Sequence, residues 1–535
     1  MSVAQRIKGA FSIHTKLAAL SALAFALASR YGESHSAVVL TVTVAAALNV
    51  IALRSKHLVF DLLFFGLVFH AAAFSWLPQT LSFFGGFPTP VSYVLFALFC
   101  ILSSAQLMLV AWLCRRLQRS PLDALGLALP LAWWAGEFFV PRLFPWSLVH
   151  PLVSWKLFSG LAAFVGVYPL SALILWWMRV FLMLVPSRAG GVVRSRLELG
   201  GLAASVLTAS FVSAYGASAL ESSLSNAQSI AVGLIQGNLS ATQKGDVRLL
   251  TPNLEVYRAL SRQAIAAGAQ LLIWPESVMN AWTPEDIERV RNTRIDPFPE
   301  STVPLLYGGL SFRKLSQEEL DRNPPMSEDM LYYRFNSAFG IGGDGKVLGR
   351  YHKRVLMPFG EYLPLAKTFP MIKSISPHTG DFSVGDRVDP ITFPLPDGAG
   401  SYRVANLICY EDLVPSLTRE GVRLGANVLV NLTNDAWYGE TAAPYQHHLL
   451  ASWRAIESGR FLIRATNTGF SGIVDPRGTT VAGLPIFDQG TLVRQVSLLS
   501  HETLYTKVGD VFSWLLGALS LVAGFRVRKD ARPAE

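Results

Sequence analysis

Repeated apolar runs constrain this chain more than any other feature. They fall at about 17–28, 37–53, 59–77, 90–113, 122–140, 157–184 and 199–219, with an eighth at 508–525. Most reach the roughly 17–25 residues that an α-helix needs to cross a hydrocarbon layer. A cleaved signal sequence ahead of a soluble enzyme would not repeat the pattern seven times. The expected architecture is a polytopic α-helical membrane domain of about eight transmembrane helices. A long, more polar segment interrupts it.

Charge divides along the same line. Residues 221–505 carry 26 Lys+Arg and 29 Asp+Glu, whereas the remainder carries 20 and 8. The sequence pI near 9.4 therefore belongs to the apolar part, which argues against a nucleic-acid partner. Basic residues also sort between alternate loops. Arg6, Lys8, Lys16, Arg54, Lys56, Arg115, Arg116, Arg119, Arg188, Arg194, Arg196 and the tail Arg526, Arg528, Lys529 and Arg532 fall on one side; Arg30, Arg142 and Lys156 fall on the other. The positive-inside rule puts the richer side in the cytoplasm. The expected domains are a membrane domain at 1–220, a non-cytoplasmic domain at 221–505, and a last helix with a basic cytoplasmic tail at 506–535. In a bacterium with two membranes, the middle domain is periplasmic.

Residues 221–505 read as α/β. Short β-prone runs end in polar residues: "IAVGLIQGN", "QLLIWPES", "VPLLYGGL", "VANLICYE" and "ANVLVNLTND". Helical patterns lie between them, at 254–267 and 447–461. Turn chemistry predicts hairpins at "NSAFGIGGDGKVLGRYHK" and "GIVDPRGTTVAGL". The stretch 367–386 lacks periodicity and reads as a long loop of the lid or binding-arm kind.

Cys409, in "NLICYEDLVP", is one of three cysteines, the others being Cys100 and Cys114 in or beside an apolar run. It has no evident disulfide partner and no CxxC spacing that would suggest zinc. It is either a buried filler or a nucleophile that needs its proton removed. Two further strand ends offer the means. "LLIWPES" presents Glu276 and "GRYHKRVLMPFGEYLP" presents Lys353 and then Glu361. A carboxylate can act as general base, a lysine can hold oxyanion charge and a thiol can carry an acyl group. Each residue taken alone also reads as ordinary surface charge or core. His447 and His448 are adjacent, lack the i, i+4 spacing of a helical zinc pair, and are not taken as metal ligands. His70 and Arg179 sit inside apolar runs. His70 reads as a packed, hydrogen-bonded interior residue and Arg179 as one that snorkels.

Glu276 after "WP", Lys353 in "YHK…PFGEYLP" and Cys409 in "CYE", in that order, resemble the nitrilase, or carbon–nitrogen hydrolase, superfamily. The flanks "IQGN", "WPES", "MPFGEYLP", "NLTNDAWYG", "PYQHHL", "RAIESGR" and "LIRATNTG" are similar to its apolipoprotein N-acyltransferase family. The apolar half agrees through "FFGLVFHAAAFSWLPQTLSFFGGFPTP" and "FPW". The resemblance covers nearly the whole chain. It implies a periplasmic nitrilase-like αββα sandwich beside the membrane helices, in a multi-pass protein of the bacterial inner membrane.

It also implies a reaction. Glu276 would deprotonate Cys409, which would take the sn-1 acyl chain of a phospholipid as a thioester. Lys353 and the backbone N–H after the cysteine would hold the oxyanion, with Glu361, Tyr410 and Glu411 as supporting residues. The acceptor would be the α-amino group of a diacylglyceryl apolipoprotein. No metal or organic cofactor is implied, and the chain would be a monomer whose partners are its two lipid substrates and the bilayer. Asn434, Trp437, Trp76 and Trp146 are the candidate substrate contacts, Trp76 and Trp146 standing with Phe144 where interfacial aromatics are expected. The chain departs from the family pattern in four places. Gly245 follows Lys244 where a tryptophan is common, while Leu143, Pro169 and Ala443 stand where glycines are common. A membrane-tethered amidase or nitrilase, an acyltransferase for another amine, and an inactive scaffold are the rival readings.

Overall fold

The structure, a computed structural model, describes residues 12–184, 196–245, 247–322, 331–358, 360–363 and 380–526. Of the stretch expected to form an arm, 367–379 lies outside these residues. The chain divides into two compact units. One comprises Met1–Ser75, Tyr93–Ala219 and Thr503–Glu535; the other comprises Trp76–Ser92 and Leu220–Glu502. The short segment Trp76–Ser92, read from sequence as part of the membrane domain, thus groups with the α/β unit.

The first unit is helical. Among the described residues, three helices are long and apolar enough to cross a membrane: His35–Arg54, Thr89–Leu117 and Gly200–Ser225. The number is up to four if Leu58–Ala73 and Leu77–Phe83 are counted as one bent span. Shorter apolar helices lie at Lys156–Val165, Tyr168–Met183 and Val511–Gly524. Two expected runs are broken by local chemistry that hydropathy does not register. The run from residue 122 begins in a 3₁₀ turn, Pro121–Leu125, capped by Gly126 in the left-handed region, so its helix is only Ala128–Phe139. The run from residue 157 is cut near Gly160 and at Gly166, φ +77°. Leu20, Leu102, Leu207, Phe211 and Leu519 are largely exposed, a surface suited to hydrocarbon rather than water.

Two buried acids of this unit, Asp61 and Glu137, are paired, as a low-dielectric interior favours. Asp61 accepts from Thr15 Oγ1 at 2.6 Å and Ser55 Oγ at 2.5 Å. Glu137 accepts from Trp133 Nε1, Ser147 Oγ and the Leu148 N–H at 2.7–2.8 Å. His70 is a packed interior residue, its Nδ1 2.7 Å from Gly66 O and 3.1 Å from Ser104 Oγ.

The second unit contains thirteen strands among its described residues: β1 Ser229–Gln236, β2 Leu271–Ile273, β3 Met279–Pro284, β4 Leu305–Lys314, β5 Tyr332–Ile341, β6 Val347–His352, β7 Ile391–Pro394, β8 Ser401–Ile408, β9 Val428–Thr433, β10 Leu462–Thr466, β11 Gly472–Val474, β12 Thr480–Gly483 and β13 Gly490–Ser497. They form two sheets, β13-β1-β2-β4-β5-β6 with β3 paired to β4, and β12-β11-β10-β9-β8-β7. Both expected hairpins form, β5–β6 and β11–β12.

Period-two alternation assembles the layers. Val232, Leu234, Leu271, Ile273 and Leu306 of the first sheet face Val404, Ile408, Val430, Leu432 and Ile463 of the second in one shared core. The alternate residues Leu272, Trp274, Leu305 and Tyr307 meet Leu254, Tyr257 and Leu260 of helix α1, Leu250–Ala266. Ala405, Leu429 and Leu462 meet Val422 of α2, Pro415–Arg423, and Ala451 and Ala455 of α3, Ala443–Ser458. The result is an αββα sandwich.

Sheet direction sets where chemistry can gather. β1, β2 and β4 are parallel, as are β8, β9 and β10. β5 is antiparallel to both β4 and β6, so β6 runs with β4. Within the first sheet, Glu276 after β2 and Lys353 after β6 therefore emerge at the same edge.

Candidate active site

Glu276 follows Pro275 in a turn that continues through Ser277, φ +51°. Gly308 of β4 makes that turn possible. A Cβ there would lie 2.5 Å from Glu276 Cα and 2.6 Å from Pro275 O. Lys244 pins the turn from the other side, its Nζ donating to the Glu276 carbonyl at 2.7 Å.

Lys353 follows β6 and is almost wholly buried. Its ammonium lies 2.7 Å from Glu361 Oε2 and 3.7 Å from Glu276 Oε1. Asn336 of β5 bridges the two acids, its Nδ2 donating to Glu276 Oε1 at 2.7 Å and Glu361 Oε1 at 2.8 Å. The Asn336 carbonyl accepts from the Lys353 N–H at 2.8 Å, so register alone delivers the amide to the cluster. Glu361 Oε2 also accepts from the Met357 N–H at 2.8 Å.

Cys409 ends β8 with φ +51°, a left-handed conformation that costs a non-glycine residue about 1–3 kcal/mol. Its carbonyl accepts from Asn431 Nδ2 at 2.9 Å. Glu411, two residues on, is a clasp rather than a reactant. It accepts from the Ile408, Arg354 and Val355 N–H groups at 2.6–3.0 Å and from Tyr351 Oη at 2.8 Å. One carboxylate thus joins the end of β8 to the segment that follows Lys353.

The electrostatics follow from burial and neighbours. Burial pushes the Cys409 thiol well above the ordinary range, Glu276 adds to this and Lys353 opposes it. Burial also raises Glu276, against the pull of Lys353 and with the push of Glu361. Burial alone would lower Lys353, but Glu361 and Glu276 outweigh it and keep the ammonium charged. Burial lowers Lys244 to about 8, with Glu276 opposing. The arrangement offers a poised base, a permanent cation and a thiol that stays protonated until a partner removes the proton.

The other candidates divide. Trp76 is buried in the α/β unit, donating to Gln446 Oε1 at 3.0 Å and standing edge-on to Tyr438 at 5.0 Å. Trp437 is 40% exposed. Asn434 is buried, with Oδ1 accepting from Asn467 Nδ2 at 3.2 Å. Tyr410 is partly buried beside the cysteine. Trp146 belongs to the helical unit, buried edge-on to His150 at 5.5 Å. His447 and His448 part company: His448 Nε2 meets Thr480 Oγ1 at 2.8 Å, while His447 lies between Asp412 and Asp435. Among the described residues, no group of three or more His, Cys, Asp and Glu could hold a metal ion.

Sequence reasoning missed Asn336, Lys244, Tyr438 and the acids around His447. The first looks like any strand residue, and the acids come from segments that only the fold brings together.

Sequence models of two families match the chain: carbon–nitrogen hydrolase over residues 232–503 and the apolipoprotein N-acyltransferase N-terminal domain over residues 17–178. Three similar relatives carry the name apolipoprotein N-acyltransferase. That of Geobacter metallireducens is 31% identical over 473 residues, covering 87% of this chain and 86% of its own. That of Shewanella oneidensis is 29% identical over 505 residues, covering 90% and 89%. That of Caulobacter vibrioides is 32% identical over 412 residues, covering 74% and 72%.

Proposed function

The chain belongs to the apolipoprotein N-acyltransferase family of carbon–nitrogen hydrolases, and from that premise we propose that it moves the sn-1 acyl chain of a phospholipid, by way of a Cys409 thioester, to the α-amino group of a diacylglyceryl apolipoprotein. The observation that carries the reading is the buried Glu276–Lys353–Glu361 cluster, bridged by Asn336, in the same unit as a cysteine held in a strained strand-end turn.

In the first half-reaction Glu276 takes the Cys409 proton as sulfur attacks the ester carbonyl. Lys353 and the Tyr410 N–H hold the resulting oxyanion. When the carbon–oxygen bond breaks, Glu276 returns the proton to the departing lysophospholipid. In the second half the acceptor amine attacks the thioester, Glu276 takes a proton from nitrogen, and the thiol leaves with it. Because burial keeps the thiol protonated, both halves depend on Glu276 to move its proton. Glu361 keeps Lys353 charged throughout. Neither half needs a metal or organic cofactor.

Two lipid substrates require a site open to the bilayer. The same reading therefore has about eight membrane crossings, a cytoplasmic N-terminus, the α/β domain in the periplasm and a multi-pass monomer in the inner membrane. The three or four long apolar helices and three shorter ones support several crossings, and the one-sided basic loops support the orientation. The direct test supplies purified protein with phospholipid and a synthetic diacylated lipopeptide bearing a free amine. The expected product is a triacylated peptide and one lysophospholipid per turnover. Release of free fatty acid with no acylated peptide would instead favour a hydrolase.

A further inference from the structure

A chain of buried polar side chains runs back from the nucleophile turn. Asn431 Nδ2 donates to the Cys409 carbonyl at 2.9 Å, and Arg464 Nε stands 3.4 Å from Asn431 Oδ1 and 3.2 Å from Asp412 Oδ2. Asp412 Oδ1 is 2.8 Å from His447 Nε2, and His447 Nδ1 is 3.1 Å from Asp435 Oδ1. Asp435 Oδ1 is 3.5 Å from Thr433 Oγ1, and after burial and Glu276 the charge of Asp435 also raises the Cys409 thiol. Asn431, Thr433, Asp412, Asp435 and Arg464 are fully buried, and His447 is 8% exposed.

Both ring nitrogens of His447 face carboxylate oxygens. A neutral imidazole has one N–H, so one of these contacts would set lone pair against lone pair; an imidazolium donates to both. Charge balance agrees. Asp412 and Asp435 bring two negative charges and Arg464 one positive, so only a protonated His447 leaves this buried group neutral. The neighbouring Arg454 and Glu457 on α3 pair with each other at 2.7 Å and do not alter the sum. Gly469 leaves room for Asp435: a Cβ there would stand 2.3 Å from its Oδ2.

We propose that His447 is a positioning residue, whose imidazolium neutralises Asp435 and Asp412 and so keeps uncompensated negative charge from standing beside Cys409 when the thiolate forms. This rests on Cys409 being the nucleophile, and it holds for any acyl donor. The direction of His447 agrees: burial would lower it, yet the two aspartates raise it to about 9.

The test is the rate of Cys409 alkylation by iodoacetamide in the full-length protein, read by peptide mass spectrometry. This readout needs no lipid substrate, so it stands even if the proposed acyl transfer fails. His447→Gln leaves the buried group one negative charge in excess, and alkylation is expected to slow by about tenfold or more, one pKa unit being a factor of ten. Asp435→Asn leaves one positive charge in excess, and alkylation is expected to match or exceed wild type. Asp435→Asn with His447→Gln restores neutrality and is expected to recover most of the loss. A merely structural histidine predicts a double variant worse than either single one. That result, or a His447→Gln rate within twofold of wild type, would overturn the proposal. If His447→Gln does not fold, a folded double variant with near wild-type alkylation supports the proposal and an unfolded double variant refutes it.

Discussion

Lys353 is a charge with almost no water around it, so its partners decide whether it can exist there. Glu361 is the nearer, at 2.7 Å. Removing one member of a buried pair typically costs about 3–5 kcal/mol, because the other is left uncompensated. Glu361→Gln keeps the shape and removes the charge. It should lower thermal stability by an amount of that order and abolish acyl-enzyme formation; a wild-type melting curve would show that Lys353 does not depend on it. Lys244 carries a pH signature. The unfolded chain keeps that proton to about 10.5 and the fold releases it near 8, so in this window the unfolded state binds more protons and stability rises with pH. The difference in melting temperature between wild type and Lys244→Met should therefore move in favour of wild type between pH 8 and 10.5. A flat difference would mean the buried amine is not the titrating group. From sequence, Glu276 and Cys409 could be picked out where apolar β-prone runs end, and Lys353 only through the motif around it. Asn336 could not, since it lies within β5 and reaches the acids only through its pairing beside Lys353.

Elements act on the site through a few close approaches. β4 passes the Glu276 turn with only a glycine between them, and Gly308→Ala would force the turn outward. Alkylation and acyl-enzyme formation should both fall by about tenfold or more, since a misplacement of about 1 Å can cost a hundredfold, while the thirteen strands persist by circular dichroism. Unchanged rates would mean the turn has slack. The Glu411 clasp distributes its load over four donors, so Tyr351→Phe should cost about 1 kcal/mol, one net hydrogen bond, and leave most activity. Loss of all activity would mean that the phenol does more than brace Glu411. Both hairpins and the strands β1, β2, β4, β8 and β9 were legible because β-prone runs and turn residues are local signals; β3, β7, β10 and β13 were not read from sequence. The breaks at Gly126 and Gly166 were not, because an apolar residue in a turn has the same hydropathy as one in a helix. Trp76–Ser92, read from sequence with the membrane domain and lying within the stretch 17–178 matched by the N-terminal family domain, groups by its packing with the α/β unit.

At the scale of the whole molecule, the proposed function puts the αββα unit on the periplasmic side of the membrane. A cysteine placed at the exposed Gln317 should react with a membrane-impermeant maleimide in intact spheroplasts; protection until the membrane is opened would reverse the topology. The number of crossings was the least legible feature, because helix length depends on breaks that composition does not display. The central claim is that Cys409 carries a fatty acid, and it is tested most directly by intact-protein mass spectrometry after incubation with phospholipid. The expected result is a mass increase of one acyl chain that hydroxylamine removes and that is absent from Cys409→Ala. An adduct that resists hydroxylamine, or one that persists in Cys409→Ala, would contradict it.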